Sequence, residues 1–243
     1  MIDLTKGYVE FSDSNDYPAD HPVWNSTNAE QKIDCYEELM AKALIMRANQ
    51  RDPSITLDNQ EKIFPHIKRV IDWLRVGDFY NSPASTKYHD SCEGGLLNHT
   101  LQTYLQLQGL RSVPKFKTVV EDQWWSAVFA VLVHDWCKIG RYESYWKNVK
   151  DERADKWTQI MAYRYREDGV ARFGHGTQSL VMAMQLCVSK YTSLSFEEMA
   201  SIRWHMDNWD MGNYDAEDMR VCDEKIPMVR MVQFADQLAI TTY

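Results

Sequence analysis

The chain has 243 residues, enough for one sizeable core, and a formal charge of −8 from 27 basic and 35 acidic side chains; with no Lys/Arg stripe, long nucleic acid is a disfavoured partner. Five cysteines (Cys35, Cys92, Cys137, Cys187, Cys222), widely spaced and without a C-x-x-C pair, point to a reduced protein rather than a disulfide scaffold or a Cys-type zinc site. The N-terminal stretch has no basic start followed by an apolar run, and no segment reaches the roughly 18 apolar residues of a membrane span, so a cytoplasmic protein with no membrane partner is expected.

In chain order, residues 1 to about 27 are polar, carry Pro18 and Pro22, and predict an extended lead-in on the surface of the body. After the capping residues Ser26-Thr27-Asn28, Ile33, Tyr36, Leu39, Met40, Ala43 and Leu44 recur at helical spacing. A second helix is predicted from about Asn59 to Val76, ended by Gly77-Asp78. Residues 78–95 read as a loop, and the pair Gly94-Gly95 releases the chain into a helix through LLNHTLQTYLQLQGL. A further helix is predicted from about Glu121 to Lys138, apolar all round between Ala127 and Val133 as in the middle of a bundle. Residues 146–174 alternate aromatic and charged side chains around Asp168-Gly169, which predicts a small β-hairpin insertion. Helices resume with HGTQSLVMAMQLCVSKY, with SFEEMASIRWHMDNW behind a capping box formed by Ser195 and Glu198, and with IPMVRMVQFADQLAITTY behind Pro227. The fold class is all-α with a hairpin, divided as an N-terminal extension and first helix over 1–58 packing on a main domain over 59–243.

Several polar residues fall where apolar ones belong. Asp236 lies on the stripe of Val229, Val232, Ala235 and Ala239; His175 heads the stripe of Ser179, Met182 and Leu186; His205 follows Ile202, and His99 sits between Leu96 and Thr103. His134 and Asp135 stand side by side in the apolar run VLVHDWCKIG. One such histidine is more often a hydrogen-bonded core residue than a ligand. Six inward imidazoles and carboxylates are satisfied together by a shared divalent cation, and this donor set suits Mn, Fe, Co, Ni or Zn more than Ca, with Mg admissible.

The ordered set His, His-Asp, His, His, Asp, with GGLLNHT around His99, VLVHDWCKIG around His134 and FADQLA around Asp236, resembles the HD-domain metal-dependent phosphohydrolases over roughly residues 60–243. FGHGTQSL followed by IRWHMDNWD resembles a bacterial and phage branch of that superfamily. The resemblance implies an HD-domain helical bundle in which His99, His134, Asp135 and Asp236 form a first metal site, and His175 and His205 supply a second with Asp135 shared. Binuclear members often carry two consecutive histidines where this chain has His205-Met206, so one ion or two remains open.

A divalent cation lowers the pKa of a bound water to near 7 and neutralises phosphoryl charge, which suits phosphate-ester hydrolysis. Asp135 and Lys138 are the expected catalytic residues, Lys138 directing its ammonium to the phosphate as the matching lysine does in the superfamily. Arg141 and His89 are further candidate substrate contacts. Arg141 with Glu143 equally suits an exposed ion pair, and His89 a surface loop; Trp204 and Trp209 are candidate stacking residues or packing. The expected substrate is a small nucleotide, either a nucleoside monophosphate or a cyclic or short phosphodiester. The alternatives are an HD-type 3′–5′ exonuclease and a catalytically weak sensor of metal or nucleotide. The oligomeric state is not legible.

Overall fold

The computed structural model describes residues 1–12, 17–151, 156–167, 173–207 and 215–240. Asn28 starts α1 (Ala29–Asn49) by accepting hydrogen bonds from the backbone N–H groups of Glu30 and Gln31. α1 is no one-sided surface helix, because every residue from Cys35 to Ile45 is buried, the charged ones included. Each buried charge has a partner. Glu37 accepts from the Ile2 N–H, the Tyr80 hydroxyl and the Arg75 guanidinium; Glu38 accepts from Ser12; and the Lys42 ammonium lies over the Trp125 ring.

These contacts revise the expected lead-in. Leu4, Val9, Tyr17, Val23 and Trp24 are buried, Val9 exchanges two hydrogen bonds with the Gln60 amide, and Pro22–Asn25 form a short 3-10 turn. The second helix, α2 (Phe64–Val76), begins five residues later than predicted, since Pro65 occupies its first turn and residues 56–63 close tight turns instead.

α3 (Gly95–Gly109) follows the loop. The helix predicted over 121–138 is broken into α4 (Lys117–Asp122), α5 (Trp124–Val133) and a 3-10 turn at Trp136–Lys138. α5 is buried all round and touches α1, α3, α7 (Phe196–Trp204) and α9 (Pro227–Ile240), which makes it the central rod. Its large apolar side chains contribute on the order of 1.5–3 kcal/mol each on burial, enough to hold the polar residues that follow in the interior.

β1 (Tyr142–Asp151) and β2 (Lys156–Tyr165) form an antiparallel ribbon with Tyr142 opposite Tyr165 and Asp151 opposite Lys156. The paired strands thus cover 142–151 and 156–165. Asp168 and Gly169 lie outside the described residues, as does Trp209. Among the described side chains of the ribbon only Tyr142, at its root, is buried, while Trp146 and Trp157 are exposed.

α6 (His175–Leu186) packs on α7, whose predicted capping box is present: Ser195 Oγ accepts from Glu198 N–H, and the Glu198 carboxylate accepts from Ser195 N–H. α8 (Ala216–Lys225) was not foreseen; it is polar on most faces and packs on α9 through the buried Met219. One apolar core runs from Leu4 to Ala235. No helix among the described residues is long and apolar enough to cross a membrane.

Candidate metal centre

His99 stands one turn inside α3, and the Gly94-Gly95 pair explains how the chain gets there. Gly94 has φ +73°, and a Cβ on Gly95 would lie 2.0 Å from the Asp90 carbonyl oxygen. The 78–95 loop thus folds back tightly on the start of α3. This carries His89 inward: its ring centroid is 4.8 Å from that of His99, and its Nε2 is buried without a hydrogen-bond partner. Burial, and then the neighbouring His99, push the His89 pKa down to about 4.

His134 is the C-cap of α5, and at Asp135 the backbone leaves the helical region (φ −108°, ψ 16°). Adjacent residues on an uninterrupted helix point about 100° apart. The break lets both side chains face one centre, so Lys138 reaches it from the 3-10 turn and not from one continuous helix. His134 Nδ1 is 2.6 Å from the Val131 carbonyl oxygen, and His205, the C-cap of α7, repeats this with Ile202 at 2.7 Å. A carbonyl only accepts, so each Nδ1 carries a proton; His205 Nε2 then presents a lone pair to the interior, and His134 Nε2 would do so once a cation takes the place of the proton it shares with the carboxylates.

His99 Nε2 lies 3.3 Å from His134 Nε2, 2.9 Å from Asp236 Oδ1 and 3.5 Å from Asp135 Oδ2. His134 Nε2 lies 3.4 Å from Asp135 Oδ2 and 3.6 Å from Asp236 Oδ1. Metal–donor bonds of about 2.0–2.2 Å put neighbouring donors about 3 to 3.5 Å apart around one ion, so both imidazole nitrogens stand at coordination-shell spacing from each other and from the two carboxylates. The other Asp135 oxygen, Oδ1, is 2.6 Å from His175 Nε2 and 3.8 Å from His205 Nε2. Asp135 therefore turns one oxygen to each of two neighbouring groups, while His205 Nε2 is fully buried and has no hydrogen-bond partner. A buried acceptor left so costs about 1–3 kcal/mol unless something fills it. These buried groups can hold a metal ion; the ligand distances do not determine which metal.

The electrostatics follow from burial and neighbours. Burial favours the neutral carboxyl, but Lys138 and His134 outweigh it at Asp135, and hydrogen bonds from His134 and His99 do so at Asp236; both stay well below the usual carboxylate range. Burial likewise works against charge on His134, yet Asp135 and Asp236 raise its pKa to about 10. His205 goes the other way, to about 3, through burial and the charge on His134. Lys138 is buried with Nζ 2.5 Å from Asp135 Oδ2.

All six residues expected as ligands, His99, His134, Asp135, His175, His205 and Asp236, meet at one place, with Lys138 and His89 beside them. Arg141 does not pair with Glu143: its guanidinium lies over Tyr165, 5.2 Å from the ring centre, and Glu143 binds Arg164 at 2.7 Å. Trp204 packs with Ala200, Met219 and Val229 under the Arg203 guanidinium. Cys137 was missed. Its sulfur joins Asp135 and His175 in a group of donor atoms all within 4.8 Å, a proximity hinted at only by its place two residues after Asp135. Compared with protein-family models, with curated proteins and with solved structures, the chain matches none.

Proposed function

We propose that this chain is an HD-type metal-dependent phosphohydrolase that cleaves a phosphate ester of a small nucleotide. The observation that carries this reading is the set of donor atoms from His99, His134, Asp135 and Asp236, in which the two imidazole nitrogens lie 2.9 to 3.6 Å from each other and from both carboxylates although they come from α3, the end of α5 and α9. Two imidazoles and two carboxylates suit Mn, Fe, Co, Ni or Zn, with Mg admissible. When bound, such a cation supplies Lewis acidity toward phosphoryl oxygens and acidifies water to near neutrality.

The chain's own residues do the rest. His99, His134, Asp135 and Asp236 hold the first position; His175 and His205 serve a second, with Asp135 shared. Lys138, fixed against Asp135, places a positive charge beside the centre, where charge on a phosphoryl group is stabilised without reorganisation. His89, whose ring lies beside that of His99, has a buried Nε2 without a hydrogen-bond partner, which suits a contact to a substrate bound at the centre. The charge of −8 favours a small substrate over a long polyanion.

The test is phosphate release from a panel of nucleoside monophosphates and cyclic and short phosphodiesters with Mn, Co or Mg. Release by the native chain and its loss in His134→Ala and Asp135→Ala support the reading. Metal-loaded protein that releases phosphate from none of them overturns it.

A further inference from the structure

We propose that Cys137 is a metal ligand which, with Asp135 and His175, builds the second cation position as a sulfur, oxygen and nitrogen site selective for a thiophilic ion such as Zn or Co over Mg. The three donor atoms lie within 4.8 Å of one another, with Asp135 and Cys137 buried and His175 nearly so. A tetrahedral ion with metal–sulfur and metal–nitrogen bonds of about 2.3 and 2.0 Å puts such donors about 3.5 Å apart, so separations of up to 4.8 Å need to close by about 1.3 Å at most, while His175 Nε2 and Asp135 Oδ1, 2.6 Å apart, need to open by somewhat less. The frame holds Cys137 in place: its backbone N–H donates to Ser179 Oγ at 3.0 Å, and Ser179 follows His175 by one turn of α6, so both face the 3-10 turn that carries the thiol.

An independent observation points to a ligand on this side of Asp135. His205 Nε2 is fully buried, lacks any hydrogen-bond partner and stands 3.8 Å from the Asp135 Oδ1 that His175 also binds. Soft thiolate donors select Zn and Co over Mg, whose preferred ligands are oxygens. Binding deprotonates the thiol, and the proton passes to the buffer.

The test is titration of the full-length, metal-free chain with Co(II), read by absorption. The expected result is a sulfur-to-cobalt charge-transfer band in the near ultraviolet that is missing in Cys137→Ser, while that variant keeps the visible bands of the first position. Affinity for a second equivalent of Zn falls by at least about tenfold in Cys137→Ser, and Mg binding is unchanged. Cobalt bound by the native chain with visible bands but no sulfur band overturns the assignment without need of a variant, as does a sulfur band that survives Cys137→Ser. The inference rests on the metal-binding half of the proposed function and not on hydrolysis. Absent phosphate release leaves the spectrum intact, whereas absent cobalt binding removes both.

Discussion

His99 Nε2 and Asp236 Oδ1 stand 2.9 Å apart across the contact between α3 and α9, both buried. A cation shared with His134 and Asp135 would tie these helices to the end of α5 and would bind only the folded chain. At 100 times the dissociation constant, such a ligand adds about 2.7 kcal/mol, which for a chain of this size raises Tm by roughly 5–10 °C. Calorimetry with Zn or Mn, before and after chelation, is expected to show that shift. Asp236→Ala is expected to lose it together with the bound metal measured after gel filtration. A Tm indifferent to every divalent ion would count against a shared site.

Gly176 touches the carbonyl of Arg203 so closely that a Cβ there would lie 2.0 Å from the oxygen, and 3.1 Å from the Ile202 oxygen that accepts from His205. Helix propensity alone makes Gly176→Ala stabilising by up to about 1 kcal/mol. The contact is with backbone, which cannot rotate away, and overpacking of this kind costs about 1–3 kcal/mol. The clash wins: the urea midpoint falls, and the His205 imidazole resonances shift because α7 must move from α6. His99, on α3, keeps its resonances.

How much of this was legible beforehand differs by element. His134-Asp135 stood out because two polar groups interrupt an apolar run, and the Ser195–Glu198 capping box is a local pattern with a local cause. The break after Val133 had no Gly or Pro to announce it; it is imposed by the centre that His134 and Asp135 both face. That α1 is buried on its charged side as well was not legible, because the partners of its charges, Arg75, Ser12 and Ile2, lie far away in sequence. α8 carries too few apolar residues to show a stripe and depends on α9. Cys137 and His89 reach the site only through the turn at Trp136–Lys138 and the approach of Asp90 to Gly95, neither of which leaves a periodic trace.

Lys138→Met separates electrostatic catalysis from metal holding. An ammonium has no lone pair to give a cation, yet Lys138 Nζ is paired at 2.5 Å with the carboxylate of Asp135, which has. Removing one preorganised donor to a transferring group costs about 10²–10³ in rate. The expected outcome is that loss in kcat with bound metal retained. A variant that drops its metal instead would make Lys138 a positioning residue for Asp135.

Arg47 and Glu198 predict the acid limb of stability. Arg47 Nε lies 2.5 Å from Glu198 Oε1 and Nη2 2.6 Å from Oε2, with both side chains buried and the guanidinium stacked 3.9 Å from the Phe129 ring centre. The pair ties α1 to the first turn of α7, and α7 ends on His205. Burial raises the Glu198 pKa, but Arg47 more than offsets this, leaving it below its ordinary 4.5. A lowered folded-state value means the contribution is complete above pH 4.5 and is lost as pH falls through the folded value. Urea unfolding from about pH 6 downward should therefore show the stability difference between the native chain and Glu198→Gln shrinking below pH 4.5. Arg47→Met, which strands the buried carboxylate, is expected to cost about 3–5 kcal/mol at neutral pH, and to regain part of it in acid as Glu198 protonates. A Glu198→Gln curve parallel to the native one over that range would show that the pair does not titrate with folding.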